Sequence, residues 1–266
     1  MTTGDENVLL HISGGVATIT LDRPDALNSL DLPTKMALLE VVRDVAADPA
    51  VRCVVLTGTG RAFCVGQDLK EHIGLLEESG SEQLSRTVEE HYNPIVECLA
   101  TMPKPVLAAV NGVAAGAGAS LALACDMRVF AESAGLNLAF AGVALSCDTG
   151  ASWTLPRLVG PAKALELLYQ PRTLEAQECL ALGVASSVAP DADLRVVVEG
   201  LAIRLAAGPT AAYAAIRRAV RFAAGHGLAE SLAFEARLMA ETGATRDHHA
   251  AVAAFVSKQQ PVFEGR

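Results

Sequence analysis

Hydrophobic and polar positions alternate near the start of the chain and then take up helical spacing. Residues Val16–Leu21 (VATITL) alternate as a half-buried strand does, and residues 32–45 place apolar side chains at helical intervals. Asp48 and Pro49 end that helix, and residues 51–56 form an apolar run typical of a strand. Because an order of strand, strand and helix then recurs, we expect an α/β protein built as a spiral of small ββα units.

The pattern changes after Pro190, where Ala-rich helical segments follow one another and no strand pattern returns. Their predicted ranges are 193–207, 210–224, 228–242 and 246–256. This change predicts a core of residues 1–190 and a C-terminal helical region of residues 191–266.

Two segments of the core carry less regular patterns. Residues 71–90 are rich in Glu, Ser and Gly with weak periodicity, which predicts a mobile flap over a binding site, not a packed element. Residues 174–182 predict an amphipathic helix that ends at Gly183, and residues 184–188 predict a short strand.

Composition and charge exclude several classes of function. The chain has 266 residues, of which 51% are hydrophobic, enough for a sizeable core. Its net charge is −9 and no run of Lys and Arg is longer than two, so we expect no nucleic-acid partner. The six cysteines show no CxxC spacing, and the six histidines lack spaced partners, so we expect no metal site and no disulfide framework.

No apolar run reaches the ~18 residues that span a bilayer. The acidic N-terminus shows no signal-peptide pattern, and these features together predict a cytoplasmic protein.

The stretch PVLAAVNGVAAGAGASLALACD, residues 105–126, is the most informative part of the chain. An apolar strand turns at Asn111-Gly112 and re-enters a helical pattern through Gly116, Ala117 and Gly118. Amides at the start of a helix carry the positive end of its dipole, so they can hold a developing oxyanion or a phosphate. Taken alone, the stretch is equally compatible with a tightly packed glycine-rich turn.

A second motif of the same kind lies upstream. VVLTGTGRAFCVGQDLKE, residues 54–71, is another strand that passes through a glycine turn into a helix, and it offers a second amide near Gln67. Together with LDRPDALNSL, residues 21–30, the two motifs resemble the crotonase, or enoyl-CoA hydratase/isomerase, superfamily. The resemblance runs from about Val8 to the C-terminus.

The resemblance implies an enzyme that polarises an acyl-CoA thioester with two backbone N–H groups. Carried over by position, these donors are the amides of Gln67 and Ala117. It also implies a crotonase-type ββα spiral, a C-terminal helical region that covers the site and forms trimers or hexamers, and no cofactor beyond the CoA moiety of the substrate. Residues that match CoA contacts of the family are Val65, Gly66, Asp68, Lys70, Phe255 and Lys258, and the segment 23–27 would meet the adenine.

The residues that supply acid or base decide the reaction. Family hydratases hold water with two glutamates, and the corresponding positions here are Ser120 and Phe140, which cannot act as carboxylate bases. Asp148, in ALSCDTGASWTLPR, stands where isomerases of the superfamily place a catalytic aspartate. The run most resembles the ring-opening isomerases of phenylacetate breakdown. The role requires an apolar pocket that raises the pKa of Asp148. We predict that this pocket is formed by Phe140, Val143, Leu145 and Trp153.

Several alternatives remain open from the sequence. Asp148 can instead be the N-cap of a helix around residues 153–159. The chain can be a hydratase that activates water through Asp148, or a CoA-thioester-binding module without turnover. Ser120 departs from the GxSxG elbow and falls inside a predicted helix, which disfavours a serine hydrolase. His248 and His249 are adjacent and are expected to be solvated.

Overall fold

Two β-sheets and a set of surrounding helices make up the fold of the computed structural model, which describes residues 2–3, 7–79 and 82–266. The strands are β1 Thr2–Thr3, β2 Val8–Ser13, β3 Val16–Leu21, β4 Cys53–Gly58, β5 Ala62–Cys64, β6 Val106–Val110, β7 Val113–Ala115, β8 Met127–Ala131, β9 Gly135–Asn137, β10 Thr173–Glu175 and β11 Ser187–Ala189. The helices are α1 Leu32–Ala47, α2 Leu69–Ser79, α3 Glu82–Thr87, α4 Asn93–Thr101, α5 Ala117–Ala124, α6 Ala151–Val159, α7 Pro161–Tyr169, α8 Ala176–Ala181, α9 Leu194–Ala206, α10 Thr210–Ala223, α11 Leu228–Gly243 and α12 Arg246–Ser257.

The strands are distributed between the sheets in a way that produces the spiral. The larger sheet has the order β1-β2-β3-β4-β6-β8-β11, and the smaller sheet has the order β10-β9-β7-β5. From β3 onward the larger sheet is parallel, with Val54 opposite Val106 and Leu107 opposite Met127. Each of the pairs β4/β5, β6/β7 and β8/β9 therefore contributes its first strand to one sheet and its second to the other, which confirms the predicted ββα repeat.

The hydrophobic core lies where the larger sheet meets its helices. Strand β6 is buried along its whole length, as expected for a parallel strand covered on both faces. On α1, Leu38, Val42 and Val45 face the same core. The core is thus the rigid support for the ends of β5 and β7, where the two glycine motifs lie.

The C-terminal prediction of four helices without a further strand is confirmed over the described residues, with bounds that differ by at most one position. Helix α9 buries Val198, Ala202 and Ala206 in the core, against β4, β6 and β8. Helix α9 therefore packs on the larger sheet as part of the core, and α10 to α12 come after it in the chain.

The structure corrects the predictions for residues 174–188. Residues 173–175 are not helical but form β10, because they pair antiparallel with β9, Leu174 lying opposite Leu136. Only α8 remains of the predicted helix. The amides of Val184 and Ala185 then donate to the carbonyl of Cys179 at the end of α8, at 2.8 and 2.9 Å. The strand therefore begins later than predicted, as β11, and pairs parallel with β8.

The prediction that residues 71–90 form no packed element is wrong at both ends of the segment. Helix α2 occupies the first part of the segment. At its other end α3 continues into a π-helical turn, Val88–Tyr92, in which Tyr92 is buried. Glu71 forms an ion pair of 2.8 Å with Lys35 on α1, which ties the start of α2 to the body of the protein. Residues 80–81 lie outside the described part of the chain, and the mobility of the segment stays a prediction.

Candidate active site

The two glycine motifs meet backbone to backbone. Gly66 follows β5 and has φ +86°, and a Cβ atom built on it would lie 2.9 Å from the carbonyl oxygen of Ala115 and 3.1 Å from the amide nitrogen of Ala117. A Cβ on Gly118 would lie 2.1 Å from the carbonyl oxygen of Cys64. Only glycine permits this approach, so the two glycines bring the peptide before Gln67 beside the first amide of α5.

The amide of Ala117 has no acceptor within its own helix. Helix α5 begins directly after Gly116, whose φ of 51° and ψ of −124° reverse the chain, and Ser120 donates to the Gly116 carbonyl at 3.1 Å. The N–H groups of the first helical turn precede that bond and point out of the helix along its dipole.

The amide of Gln67 is also left out of the local pairing. Leu30 forms an isolated parallel bridge with Gln67 in which the Leu30 amide donates to the Gly66 carbonyl at 2.8 Å. The Asp68 amide then donates to the Leu30 carbonyl at 3.2 Å. In a parallel bridge the central residue directs its own N–H to the other side, so the Gln67 amide is free to serve as a donor there.

Asp148 lies in a turn of unusual backbone conformation. Thr149 has φ 53° and the following Gly150 has φ 78°, so two left-handed residues separate Asp148 from α6. The left-handed region is unfavourable for a β-branched residue such as threonine, and such strain concentrates at functional positions.

The interpretation of Asp148 as an N-cap is wrong. Gly150 occupies the N-cap position of α6 and no side chain caps the helix. The backbone carbonyl of Asp148 accepts from the Ala151 amide at 2.9 Å, whereas its carboxylate accepts from the Thr149 hydroxyl at 2.7 Å. The two left-handed residues turn the carboxylate away from the first amides of α6.

Burial raises the pKa of Asp148 above its usual value of 3.8, and the hydrogen bond from Thr149 opposes part of that rise. Burial is the main reason that the pKa of the Tyr92 phenol is raised well above 10, and the negative charges of Asp148 and Glu71 add to it. The Tyr92 hydroxyl donates to Gln67 Oε1 at 2.5 Å, so the phenol whose pKa the Asp148 charge raises also contacts the glycine motif of residues 54–71.

The apolar pocket predicted around Asp148 is corrected by the structure. Phe140 is buried, whereas Val143 is 59% exposed and Leu145 is 43% exposed. A 3-10 turn and the left-handed Ala144 direct these two side chains outward. Trp153 packs instead against the guanidinium groups of Arg157 and Arg221, at 4.1 and 5.4 Å from its ring. Phe140 and Leu145 line a cavity of about 390 Å³ together with Cys147, which lies next to Asp148.

The two positions that hold glutamates in family hydratases offer no carboxylate. Ser120 is completely buried in α5, and its hydroxyl donates to the Gly116 carbonyl at 3.2 Å. This bond within its own helix also confirms that Ser120 is no exposed nucleophile. Phe140 is 8% exposed.

Most of the residues predicted to contact CoA lie around the connection between β5 and α2. Val65 and the segment 23–27 are brought together, because the Val65 amide donates to the Leu27 carbonyl at 3.2 Å. Asp68 is committed internally: its carboxylate accepts from Arg23 at 3.1 Å and from the Lys70 amide at 3.0 Å. The Lys70 side chain is exposed on the first turn of α2.

Phe255 and Lys258 lie at the far end of α12. Phe255 is 85% exposed, and Lys258 is the exposed C-cap residue of the helix with φ 55°. Their contact with CoA stays a prediction.

Three polar residues near Gln67 were missed by the sequence analysis. Lys35, Glu71 and Tyr92 all bond the Gln67 side chain. A signal for Lys35 existed, because it lies three and seven positions before Leu38 and Val42 and therefore on the apolar face of α1. A lysine on such a face requires a buried partner.

Other predictions concern the cysteines, the histidines, membrane spans and metal sites. All six cysteines are free, and burial raises the pKa of Cys64 to about 12. His248 and His249 are exposed, as expected. Among the residues that the structure describes, none of the helices has both the length and the apolar character to cross a membrane. The same residues contain no group of three or more His, Cys, Asp and Glu side chains that could hold a metal ion.

Comparison with known proteins places this geometry in a family. Residues 11–266 match the family described as Enoyl-CoA hydratase/isomerase. The chain is 41% identical to "Probable enoyl-CoA hydratase" of Rhodobacter capsulatus, over 96% of this chain and 97% of that protein. It is 39% identical to 1,2-epoxyphenylacetyl-CoA isomerase of Escherichia coli, over 98% of this chain and 99% of that protein.

The fold agrees with this relationship. The crystal structure of an enoyl-CoA hydratase from Bacillus anthracis superimposes with a TM-score of 0.92 at 32% identity, covering 98% of this chain and 100% of that chain. The chain therefore belongs to the enoyl-CoA hydratase/isomerase family, the crotonase superfamily, and is an enzyme that acts on acyl-CoA thioesters.

Proposed function

We propose that the enzyme is an acyl-CoA isomerase that moves a carbon–carbon double bond through a thioester enolate, with Asp148 as acid and base. One observation carries the proposal. The carboxylate of Asp148 is freed from a capping role and has a raised pKa, while Ser120 and Phe140 stand where a hydratase needs its two glutamates.

The proposed reaction begins with the thioester oxygen on the amides of Gln67 and Ala117. Asp148 removes a proton from C2 of a 3-enoyl-CoA, and the negative charge that spreads to the thioester oxygen is stabilised by the two N–H groups. The carboxyl group exchanges its proton with solvent and then protonates C4, so the double bond moves from C3–C4 to C2–C3 with no net gain or loss of atoms. The raised pKa of Asp148 suits both transfers, because it brings the carboxyl closer to the working pH.

Hydration is the second candidate, favoured by the 41% identity to the Rhodobacter capsulatus protein described as a hydratase. In that reaction Asp148 would activate a water molecule for addition to C3 of a 2-enoyl-CoA. The single carboxylate argues against it, because family hydratases hold the water between two.

The test is incubation with crotonyl-CoA and with a 3-enoyl-CoA side by side. Mass and ultraviolet absorbance distinguish the products, because hydration adds the mass of water and removes the conjugated chromophore, whereas isomerisation creates the chromophore at constant mass. We expect turnover of the 3-enoyl-CoA. Rapid hydration of crotonyl-CoA with no isomerisation would reject the proposal.

We also propose that the enzyme assembles as a homotrimer or hexamer through its C-terminal helices, with residues 255–258 reaching CoA. Large apolar side chains lie exposed on these helices, which supports burial in an assembly. They include Ile216, Val220, Leu228, Met239 and Phe255. Light scattering of the purified protein measures the assembly, and a monomer would reject this part of the proposal.

A further inference from the structure

A fully buried ammonium group lies behind the first oxyanion donor. Lys35 on α1 has no exposed side-chain surface, and its Nζ atom has three hydrogen-bond partners from outside its own helix. These are Gln67 Oε1 at 3.2 Å, Glu71 Oε1 at 2.8 Å and Thr87 Oγ1 at 3.0 Å. An ammonium group donates three bonds, so this one is fully satisfied by side chains.

The side chain of Gln67 is held at both ends of its amide. Its Oε1 atom accepts from Lys35 and from the buried hydroxyl of Tyr92, the latter at 2.5 Å. Its Nε2 atom donates to Glu71 Oε1 at 2.9 Å, the same oxygen that pairs with Lys35. The glutamine is therefore connected to α1, α2 and the π-helical turn before α4.

This arrangement differs from that of the other buried lysine in the fold. Lys104 is 3% exposed, and its Nζ atom donates to the backbone carbonyls of Val45 and Asp48 at the end of α1, both at 2.7 Å. Those bonds satisfy a helix terminus and involve no residue of the candidate site. The bonds of Lys35 instead converge with those of Glu71 on one side chain of the site.

We propose that Lys35, Glu71 and Tyr92 are positioning residues that hold the Gln67 amide in the orientation of an oxyanion donor. The inference rests on the proposed function, because the Gln67 N–H must be a donor for its orientation to matter. Gln67 lies in a short connection between β5 and α2, where the Leu30 amide holds the Gly66 carbonyl of the peptide that carries the Gln67 N–H. The side-chain bonds to three elements hold the other side of the Gln67 Cα atom, and a preorganised donor requires no reorganisation during the reaction.

The variants Lys35→Met and Tyr92→Phe test this role. Lys35→Met removes the ammonium and keeps a long apolar stem, whereas Tyr92→Phe removes one hydroxyl and no charge. We expect kcat to fall about 10- to 100-fold in each with KM changed by less than about 3-fold, because small misplacements of a catalytic group have effects of that order. Lys104→Met is the matched control: it also removes a buried ammonium, and we expect a loss of stability with kcat unchanged.

A double-mutant cycle shows whether Lys35 acts through Gln67. Gln67→Ala keeps the backbone N–H but removes the side chain that the network holds. If the role is positioning, Lys35→Met lowers kcat in the wild type but causes no further loss in Gln67→Ala, since contacting residues of one unit are not additive. Additive losses in the two variants would overturn the inference.

A binding measurement separates this inference from the proposed function. Cinnamoyl-CoA, a conjugated thioester, absorbs at longer wavelength when its carbonyl oxygen is polarised, and the shift requires no turnover. We expect a red shift with the wild type and with Lys104→Met, and a smaller shift with Lys35→Met and Tyr92→Phe at saturating ligand. Absence of binding or of a shift in the wild type would reject the oxyanion hole itself, and with it the inference. A full shift in both network variants would reject the inference alone.

Discussion

The variant Ala117→Pro isolates the second oxyanion donor. Proline has no N–H, and its ring carbon occupies the direction in which that hydrogen pointed. Ala117 is the first residue of α5, a position that tolerates proline because its N–H has no helical acceptor. The chain already contains such a junction, since Pro161 begins α7 directly after Gly160, whose φ is 79°.

The expected magnitude follows from the loss of one of two donors. Removing a single oxyanion donor lowers kcat by about 100- to 1000-fold, or ~2.7–4 kcal/mol of transition-state stabilisation. The free energy of unfolding should change little, because no intrahelical bond is broken at the first residue of α5. We therefore predict a folded protein with a large defect in kcat.

The assay is the rate of appearance of conjugated thioester from a 3-enoyl-CoA, with circular dichroism as the measure of folding. Arg246→Pro is the control, because Arg246 is the exposed first residue of α12 and Thr245 before it is extended, with ψ 153°. The control should keep its activity. A well-folded Ala117→Pro with kcat within about 3-fold of the wild type would remove Ala117 from the site.

Three further predictions concern Asp148 and the missing glutamates. Asp148→Asn should lower kcat by about 100- to 10,000-fold, the range for a general acid-base group, with CoA-thioester binding retained. Its thermal unfolding temperature at neutral pH should equal or exceed that of the wild type: a carboxyl whose folded pKa lies above 3.8 opposes folding as pH rises through that pKa, and asparagine removes the opposition. A lower unfolding temperature with activity intact would indicate a structural aspartate. For the wild type, kcat/KM should fall on the acid side with an apparent pKa above 3.8, because the base must be ionised; a profile that is flat down to pH 4 would contradict this. Crotonyl-CoA should be hydrated feebly because Ser120 and Phe140 supply no carboxylate, and rapid hydration would overturn that reasoning.

The parts of the site that depend on backbone conformation could be predicted from the sequence. Gly66, Gly116 and Gly118 mark positions that exclude other residues: Gly66 has both a positive φ and a close approach, Gly116 has the positive φ, and Gly118 has the close approach. Glycine is informative in this way because its identity reports local geometry directly. The repeated ββα order could be predicted for a similar reason, since hydrophobic periodicity is local.

The side-chain network around Gln67 could not be predicted, because it connects distant parts of the chain. Lys35 and Tyr92 are separated from Gln67 by 32 and 25 positions, and their contacts depend on how α1 packs against the start of α2. The surroundings of Trp153 could not be predicted for the same reason. Its ring lies next to the guanidinium group of Arg221 on α10, a contact that no pattern near Trp153 indicates.

Local propensity also misled the prediction where tertiary pairing decided the outcome. Residues 174–175 fall within the predicted helix but belong to a strand, because β9 offers an edge. Asp148 precedes a helix as a cap does, yet two left-handed residues stand between its side chain and the helix. In both places the correction came from a backbone conformation that the residue types do not specify.

The proposed mechanism has Asp148 move a proton between two carbons of an acyl-CoA held on the amides of Gln67 and Ala117. Mass spectrometry of the product formed from a 3-enoyl-CoA in D2O detects this transfer. The wild type should yield 2-enoyl-CoA with deuterium at C2 or C4, because the Asp148 proton exchanges with solvent, and Asp148→Asn should yield neither product nor label. A hydroxyacyl-CoA as the sole product, or undiminished labelling by Asp148→Asn, would rule this mechanism out.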